Sequence, residues 1–393
     1  MGVLDGIRVL DVGRYIAGPF CACLLGDMGA DVVRVERRQG SEDRALTPVG
    51  SAGVGALYLQ VNRNKRGITL DPLHERGREV LHRLVAVSDV VVANLPDPTL
   101  EAMGLDYDTL CQVRPDIILT AVNAFGSRGP WAERVGFDGV GQVMSGSAHL
   151  SGPPGHPTKT YVPWVDFGTA SLAAFGTMAA LFERSRTGRG QRVEASLLRT
   201  SLLVANAPAI EAAVDGLDRT SSHNRGQSAG PADVVPTADG WVMVQCVGRP
   251  LFKRWCRLIG REDLLDDPRF ATDDDRGRNG EELSRILAGW CASRTTDEVL
   301  RALDEARVPC APVLSPAGTL THPHVTAGGF LQPTPYPGVE PDAPISSFPV
   351  VLSATPGEVR SRAPMLGEHT DEVLSEVGYD EGERDELRAA GVV

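Results

Sequence analysis

Aromatic side chains are scarce in this chain of 393 residues, at 5%. Glycine at 43 residues and proline at 28 are plentiful instead, which points to many turns and close backbone approaches rather than a large aromatic core. Positive charge is also in deficit. Lys and Arg total 39 against 51 Asp and Glu, for a net charge of -12. Nonspecific nucleic-acid binding depends on basic side chains neutralising phosphates, so this class is disfavoured. A small anionic ligand is not, because a local basic cluster acts inside an acidic protein. No apolar run reaches ~18 residues, the length of a membrane span, and no basic-then-apolar leader opens the sequence. A soluble, cytoplasmic protein with no nucleic-acid or membrane partner is expected.

The seven cysteines, at 21, 23, 111, 246, 256, 291 and 310, form no CxxC pair. They read as free core thiols of a reducing compartment. The eight histidines are dispersed, and His322 and His324 flank Pro323 in a turn-like setting rather than on one helix face. No metal site is expected. Glycine-rich phosphate fingerprints are missing as well. The first strand runs into Gly13-Arg14-Tyr15-Ile16-Ala17-Gly18, which is neither GxGxxG nor GxxxxGK[ST], so the sheet that follows does not by itself imply NAD or ATP.

The length exceeds a single core and predicts two domains. Residues 7–12, 31–36, 89–94 and 116–122 are short β-branched runs. Helical stretches over 17–28 and 72–87 alternate with them. This predicts an α/β domain with a mostly parallel, doubly wound sheet covered on both faces. Residues 168–184 predict a long helix rich in small side chains. The texture changes over 206–235, which reads as a linker. Beyond it, a strand at 240–247 and helices near 250–260, 280–292 and 296–306 predict a smaller α+β unit. The tail over 331–393 is Pro-rich, then acidic and helical.

Basic residues cluster at Arg37-Arg38 and at Arg63, Lys65 and Arg66, at expected strand or loop ends where such folds hold ligands. Asp166 stands in YVPWVDFG, among apolar residues just before the long helix. By itself it reads as a helix cap worth ~1 kcal/mol. Asp138, in Gly136-Phe137-Asp138, has the same ambiguity.

Taken together, nine or so blocks in one order over the whole chain make it resemble the class III CoA-transferases, the CaiB/BaiF family. They include LDGIRVLDVGRYIAGPFCACLLGDMGADVVRVERR, NRNKRGITLD, GFDGVGQVMSG and VDFGTASLAAFGTMAALFERSRTGRGQRVEASLL. PTADGWV, DDPRF, VPCAPV and LGEHTDEVL follow.

The resemblance implies a Rossmann-like large domain over 1–200 and 325–393 and a small domain over 225–310. Linkers over 201–224 and 311–324 would connect them in an interlocked, ring-like homodimer. It implies that Asp166 attacks an acyl-CoA thioester and that aspartyl anhydride and aspartyl-CoA thioester intermediates pass CoA to a second carboxylic acid. Asp138 would orient the nucleophile or a carboxylate proton. Ile16, Ala17, Arg37, Asn64, Lys65, Arg66, Asn94 and Leu95 would hold coenzyme A, and Arg14 the acceptor's carboxylate. The loop from Gly226 to Gly230 would supply oxyanion-stabilising N–H groups.

Departures from the family pattern fall where CoA and acceptor are held. Ala102 stands at an expected Arg position in NLPDPTLEAMGL, Arg199 where relatives often carry an acidic residue, and GPADVVPTADG replaces PYGxFPTADG. The related α-methylacyl-CoA racemases use the His of a GHD motif. Phe137 occupies that position here and carries no proton, which disfavours racemisation. A CoA-binding relative without turnover is the other alternative.

Overall fold

The computed structural model describes residues 2–51 and 53–393. Two compact units emerge. The first comprises Met1–Ser145, Tyr161–Asn206 and His324–Val393, the second Gly146–Thr160 and Ala207–Pro323. The stretch expected as a linker over 201–224 carries helices Leu197–Val204 and Asn206–Asp215 instead. Pro208, inside the second helix, and the polar run that follows it hid them.

Six strands build the first unit's sheet: β1 (Arg8–Asp11), β2 (Asp31–Glu36), β3 (Lys65–Thr69), β4 (Val90–Ala93), β5 (Ile118–Asn123) and β6 (Arg192–Ser196). Their order is β3-β2-β1-β4-β5-β6, and every pair is parallel. The four strands expected from the sequence lie within two residues of their predicted ranges. Lys65–Thr69, expected at a strand or loop end, is one of the sheet's two edge strands.

Successive strand side chains point to opposite faces, so each apolar run feeds two cores. Val9, Val32, Val90, Val92 and Ile118 enter one; Leu10, Val33, Val91 and Leu119 enter the other. Helices α1 (Ala17–Asp27) and α4 (Trp164–Thr187) cover the first face. Helix α2 (Glu75–Ala86), with Val373, Leu374 and Leu387 of the tail, covers the second. Parallel strands buried on both faces explain why β4 reads as an unbroken Val-Val-Val-Ala.

Helix α4 begins four residues before its predicted start and ends at Gly188, whose φ of 70° closes it. Its buried face carries Val165, Asp166, Thr169, Ala170, Ala173, Ala174, Thr177, Ala180 and Leu181. Small residues at this spacing let the helix lie close to the sheet and to α1. It is also long and apolar enough to cross a membrane, although half of its most apolar window is buried within the fold, as in the core helix of a soluble domain.

In the second unit, Trp241–Gln245 pairs antiparallel with Ala232–Pro236 and with Cys310–Pro312. Val235, Val242, Val244, Phe252, Trp255, Leu283, Leu287, Val299 and Leu303 form its core. The tail adds a hairpin, Leu331–Tyr336 with Val339–Ser346, to the first unit.

Candidate active site

Ligands of open α/β sheets bind beyond the carboxyl ends of the strands, where strand order reverses. Here the reversal lies between β1 and β4, and the turn after β1 is tied down at that point. Gly13 N–H donates to Asp11 Oδ1 at 2.9 Å. Arg14 N–H donates to Asn94 Oδ1 at 2.7 Å, and Asn94 Nδ2 donates back to the Arg14 carbonyl at 2.8 Å. Tyr15 follows at φ 60°, a left-handed conformation that costs about 1–3 kcal/mol in a non-glycine residue. A Cβ on Gly18 would come within 3.1 Å of the Asn94 side chain, so a larger residue here would press on this contact.

Ile16 and Ala17, both buried, open α1 with no side-chain cap and no acidic residue in the first turn. The N–H groups and positive dipole end there are uncompensated by side chains. Asn94 thus acts on the turn rather than through a free amide. Asn94→Ala is expected to raise the KM for acyl-CoA about tenfold, the size of one to two lost hydrogen bonds, with kcat little changed in steady-state kinetics.

The basic candidates separate. Arg37 is exposed and its guanidinium meets Glu42 at 2.6 Å. The half-exposed Arg14 guanidinium lies 3.9 Å from the same carboxylate. Both reach solvent and keep donors for an anion.

Lys65, Asn64 and Arg66, expected to hold coenzyme A, have side chains engaged by partners within the first unit. Lys65 is the first residue of a buried strand. Its ammonium donates to Asp11 Oδ2 at 2.7 Å, to the Pro19 carbonyl at 2.7 Å and to Asn62 Oδ1 at 2.9 Å. All three N–H bonds are used. Asn64 donates to Asp27 and the Glu358 carbonyl while accepting from Arg360 N–H and Ser361 N–H. Arg66 is held by Asp31, Glu372 and Glu376. These side chains tie β3 to the rest of the first unit. Lys65→Met should lower stability by about 3 kcal/mol by leaving Asp11 short of its buried partner, read as a fall in denaturant midpoint.

Asp166 and Asp138 are brought together, in a geometry different from the expected one. Asp166 is not a cap: it lies inside the first turn of α4, whose N-terminal neighbour is Pro163. The first N–H groups of a helix need acceptors, and proline offers no side-chain oxygen. Asp138, first residue of helix α3 (Asp138–Met144), supplies one from outside. Its Oδ1 accepts from Val165 N–H at 2.7 Å and from Asp166 N–H at 3.1 Å. Its Oδ2 accepts from Gln142 Nε2. Both aspartates are 8% exposed.

Burial first, and then the Asp138 charge, push the Asp166 carboxyl up to about 7. The N-terminal end of α4 could in principle stabilise the ionised form of Asp166. It does not, because the first-turn N–H groups serve Asp138 instead. The result is a buried carboxyl that changes protonation state near neutral pH.

Phe137 is exposed, its ring edge-on to Tyr15 at 5.3 Å. Leu95 is half-buried beside the second core. Gly226 and Gly230 belong to the second unit. Gly226 N–H already donates to the Ala232 carbonyl at 2.6 Å, so it is not a spare oxyanion donor. A Cβ on Gly230 would stand 3.1 Å from the Arg276 carbonyl, which gives that glycine a packing reason. Ala102 and Arg199 are exposed on helices. Sequence reasoning missed Gln142, although Asp138 and Gln142 in DGVGQ stand four apart, neighbours on one helix face. It also missed Thr169, one turn beyond Asp166, whose buried hydroxyl has no hydrogen-bond partner among the described residues. No group of three or more potential metal ligands occurs among the described residues.

The profile of CoA-transferase family III matches residues 4–370. The chain belongs to this family. The succinyl-CoA–D-citramalate CoA-transferase of Chloroflexus aurantiacus is 33% identical over 99% of this chain and 98% of its own length. The succinyl-CoA:mesaconate CoA-transferase of Haloarcula hispanica is 34% identical over 97% of this chain and 98% of its own. A crystal structure of a CaiB/BaiF family protein from Brucella suis superimposes with a TM-score of 0.84 at 31% identity, covering 96% of this chain and 99% of that one. This family III member is therefore an enzyme of CoA transfer, acting on CoA thioesters and carboxylates.

Proposed function

We propose that the enzyme transfers CoA from a dicarboxylic acyl-CoA, succinyl-CoA foremost, to a second carboxylic acid, with Asp166 as covalent nucleophile. The observation that carries this reading is a buried carboxyl held near neutrality in the first turn of α4, with a second carboxylate fixing its backbone.

Ionised Asp166 attacks the thioester carbonyl and expels CoA thiolate, leaving a mixed anhydride. The thiolate attacks the aspartyl carbonyl and releases the donor acid as carboxylate. The acceptor carboxylate then attacks the aspartyl-CoA thioester, expels the thiolate and forms a second anhydride. Thiolate attack on its acceptor carbonyl yields the new acyl-CoA and regenerates Asp166. Each step keeps the acyl activation that hydrolysis would discharge, and a water-poor pocket protects the anhydrides.

Ile16 and Ala17 at the uncapped start of α1, the turn held by Asn94, Leu95 and the exposed Arg37 would receive CoA. The Arg14 guanidinium would hold the free carboxylate of donor or acceptor. The names of the relatives, which share succinyl-CoA, favour this donor class. A cytoplasmic homodimer is proposed, with the fold expected from the family. Support for the dimer comes from the exposed large apolar side chains of the first unit, among them Leu172, Phe175, Phe182, Leu203 and Val204, the kind of surface that marks interaction sites.

Incubation with a panel of acyl-CoAs and free acids, followed by mass spectrometry, tests the reading. A donor-dependent CoA adduct on the Asp166 peptide is expected. No adduct with any donor, together with full activity in Asp166→Ala, would sink it.

A further inference from the structure

We propose that Gln142 is a positioning residue for the nucleophile: it fixes Asp138, and Asp138 in turn fixes the helical turn that carries Asp166. The inference rests on the reading of Asp166 as nucleophile. Gln142 is 1% exposed and lies one helical turn beyond Asp138. Its amide donates to Asp138 Oδ2, while Asp138 Oδ1 receives both Val165 N–H and Asp166 N–H. Each oxygen of the Asp138 carboxylate therefore has its own donors, and the carboxylate cannot rotate without losing one set. A buried carboxylate stripped of a donor is costly to keep, so loss of Gln142 would release Asp138 from its present orientation. The first turn of α4 would lose its outside acceptor with it.

Packing makes the coupling tight. A Cβ on Gly141, next to Gln142, would stand 2.7 Å from Val165 Cγ1, so this short helix presses directly on the first turn of α4. The choice of amide is chemically specific. A basic residue would neutralise Asp138, whose charge acts on Asp166. A carboxylate would add a second negative charge beside it. An amide donates without carrying charge, so it anchors Asp138 while leaving its field on Asp166 intact.

The test follows the rate of the Asp166–CoA adduct with succinyl-CoA, by time-resolved intact-protein mass spectrometry between pH 5.5 and 8.5. Wild type, Gln142→Met, Gln142→Glu and Asp166→Ala are compared. Gln142→Met preserves length and burial but donates nothing. It should form the adduct at least tenfold more slowly, with the donor's KM little changed. In Gln142→Glu the introduced acid donates its O–H to Asp138 at low pH and becomes a repelling carboxylate as pH rises. Its rate should fall across the range in which the wild-type rate climbs, a reversal that loss of packing would not produce. A wild-type rate in Gln142→Met, or a wild-type pH profile in Gln142→Glu, overturns the proposal. Should Gln142→Met fail to fold, the profile of Gln142→Glu decides alone. An adduct persisting in Asp166→Ala would instead overturn the nucleophile reading, a separate result.

Discussion

Asp166→Asn is expected to abolish CoA transfer, with a loss at least on the order of 10⁴-fold in kcat, as when a covalent nucleophile is removed and only binding remains. The substitution is nearly isosteric, and the Asp166 side chain is not the cap of its own helix. Asp138 accepts from the backbone N–H groups of Val165 and Asp166, and that contact survives the change. The variant should therefore fold, bind acyl-CoA with near-unchanged affinity, and form no CoA adduct. A direct transfer assay, with mass spectrometry of the same samples, checks all three. Residual turnover within tenfold of wild type would mean that CoA moves without covalent attachment to Asp166.

Above neutral pH the same inactive variant should be the more stable protein. The Asp166 carboxyl lies at about 7 in the folded state against an ordinary value of 3.8. Its folded-state value is raised, so the stability it contributes is fully present below the ordinary value and is lost as pH rises through about 7. Asparagine has no proton to lose and escapes the penalty. The gap between 3.8 and about 7 corresponds to roughly 4 kcal/mol at ~1.4 kcal/mol per pH unit. Thermal denaturation of wild type and Asp166→Asn should thus diverge between pH 5 and pH 8, by several degrees in Tm at the upper end.

The kinetic counterpart has the same sign. Adduct formation should rise with pH through about 7, because only the carboxylate attacks. Asp138→Asn retains an oxygen acceptor for the α4 N–H groups but removes the charge. It should move that midpoint downward, though not to 3.8, because burial, the larger cause, persists. A rate that is flat from pH 5.5 to 8.5 in wild type would contradict the account. An active site that destabilises its own fold in this way is the usual exchange between stability and function.

Much of the sheet was legible in the sequence because each strand is an apolar β-branched run buried on both faces. Pro-rich Leu331–Ser346 was not. Pro333, Pro335, Pro341 and Pro344 argue against ladder hydrogen bonds, yet a hairpin with no third strand leaves outward edges on which a missing N–H costs nothing. The cluster NRNKRG shows the opposite failure. Charge in a row reads as a solvated or ligand-facing rim, but Lys65 and Arg63 are buried against Asp11 and Asp27. Pairing partners 36 or more residues away leave no local trace.

The sequence alone determined the family, the position of Asp166 at the start of a long helix and the alternation of strands and helices, because order and periodicity are local properties of the chain. Tertiary structure decided what Asp166 is. Only the fold brings Asp138 and Gln142 against the first turn of α4, assigns the N–H groups of that turn to Asp138 rather than Asp166, and buries both carboxyls side by side. Burial and a neighbouring charge are properties of packing, so the poise of Asp166 near neutrality is set by contacts between residues more than twenty positions apart.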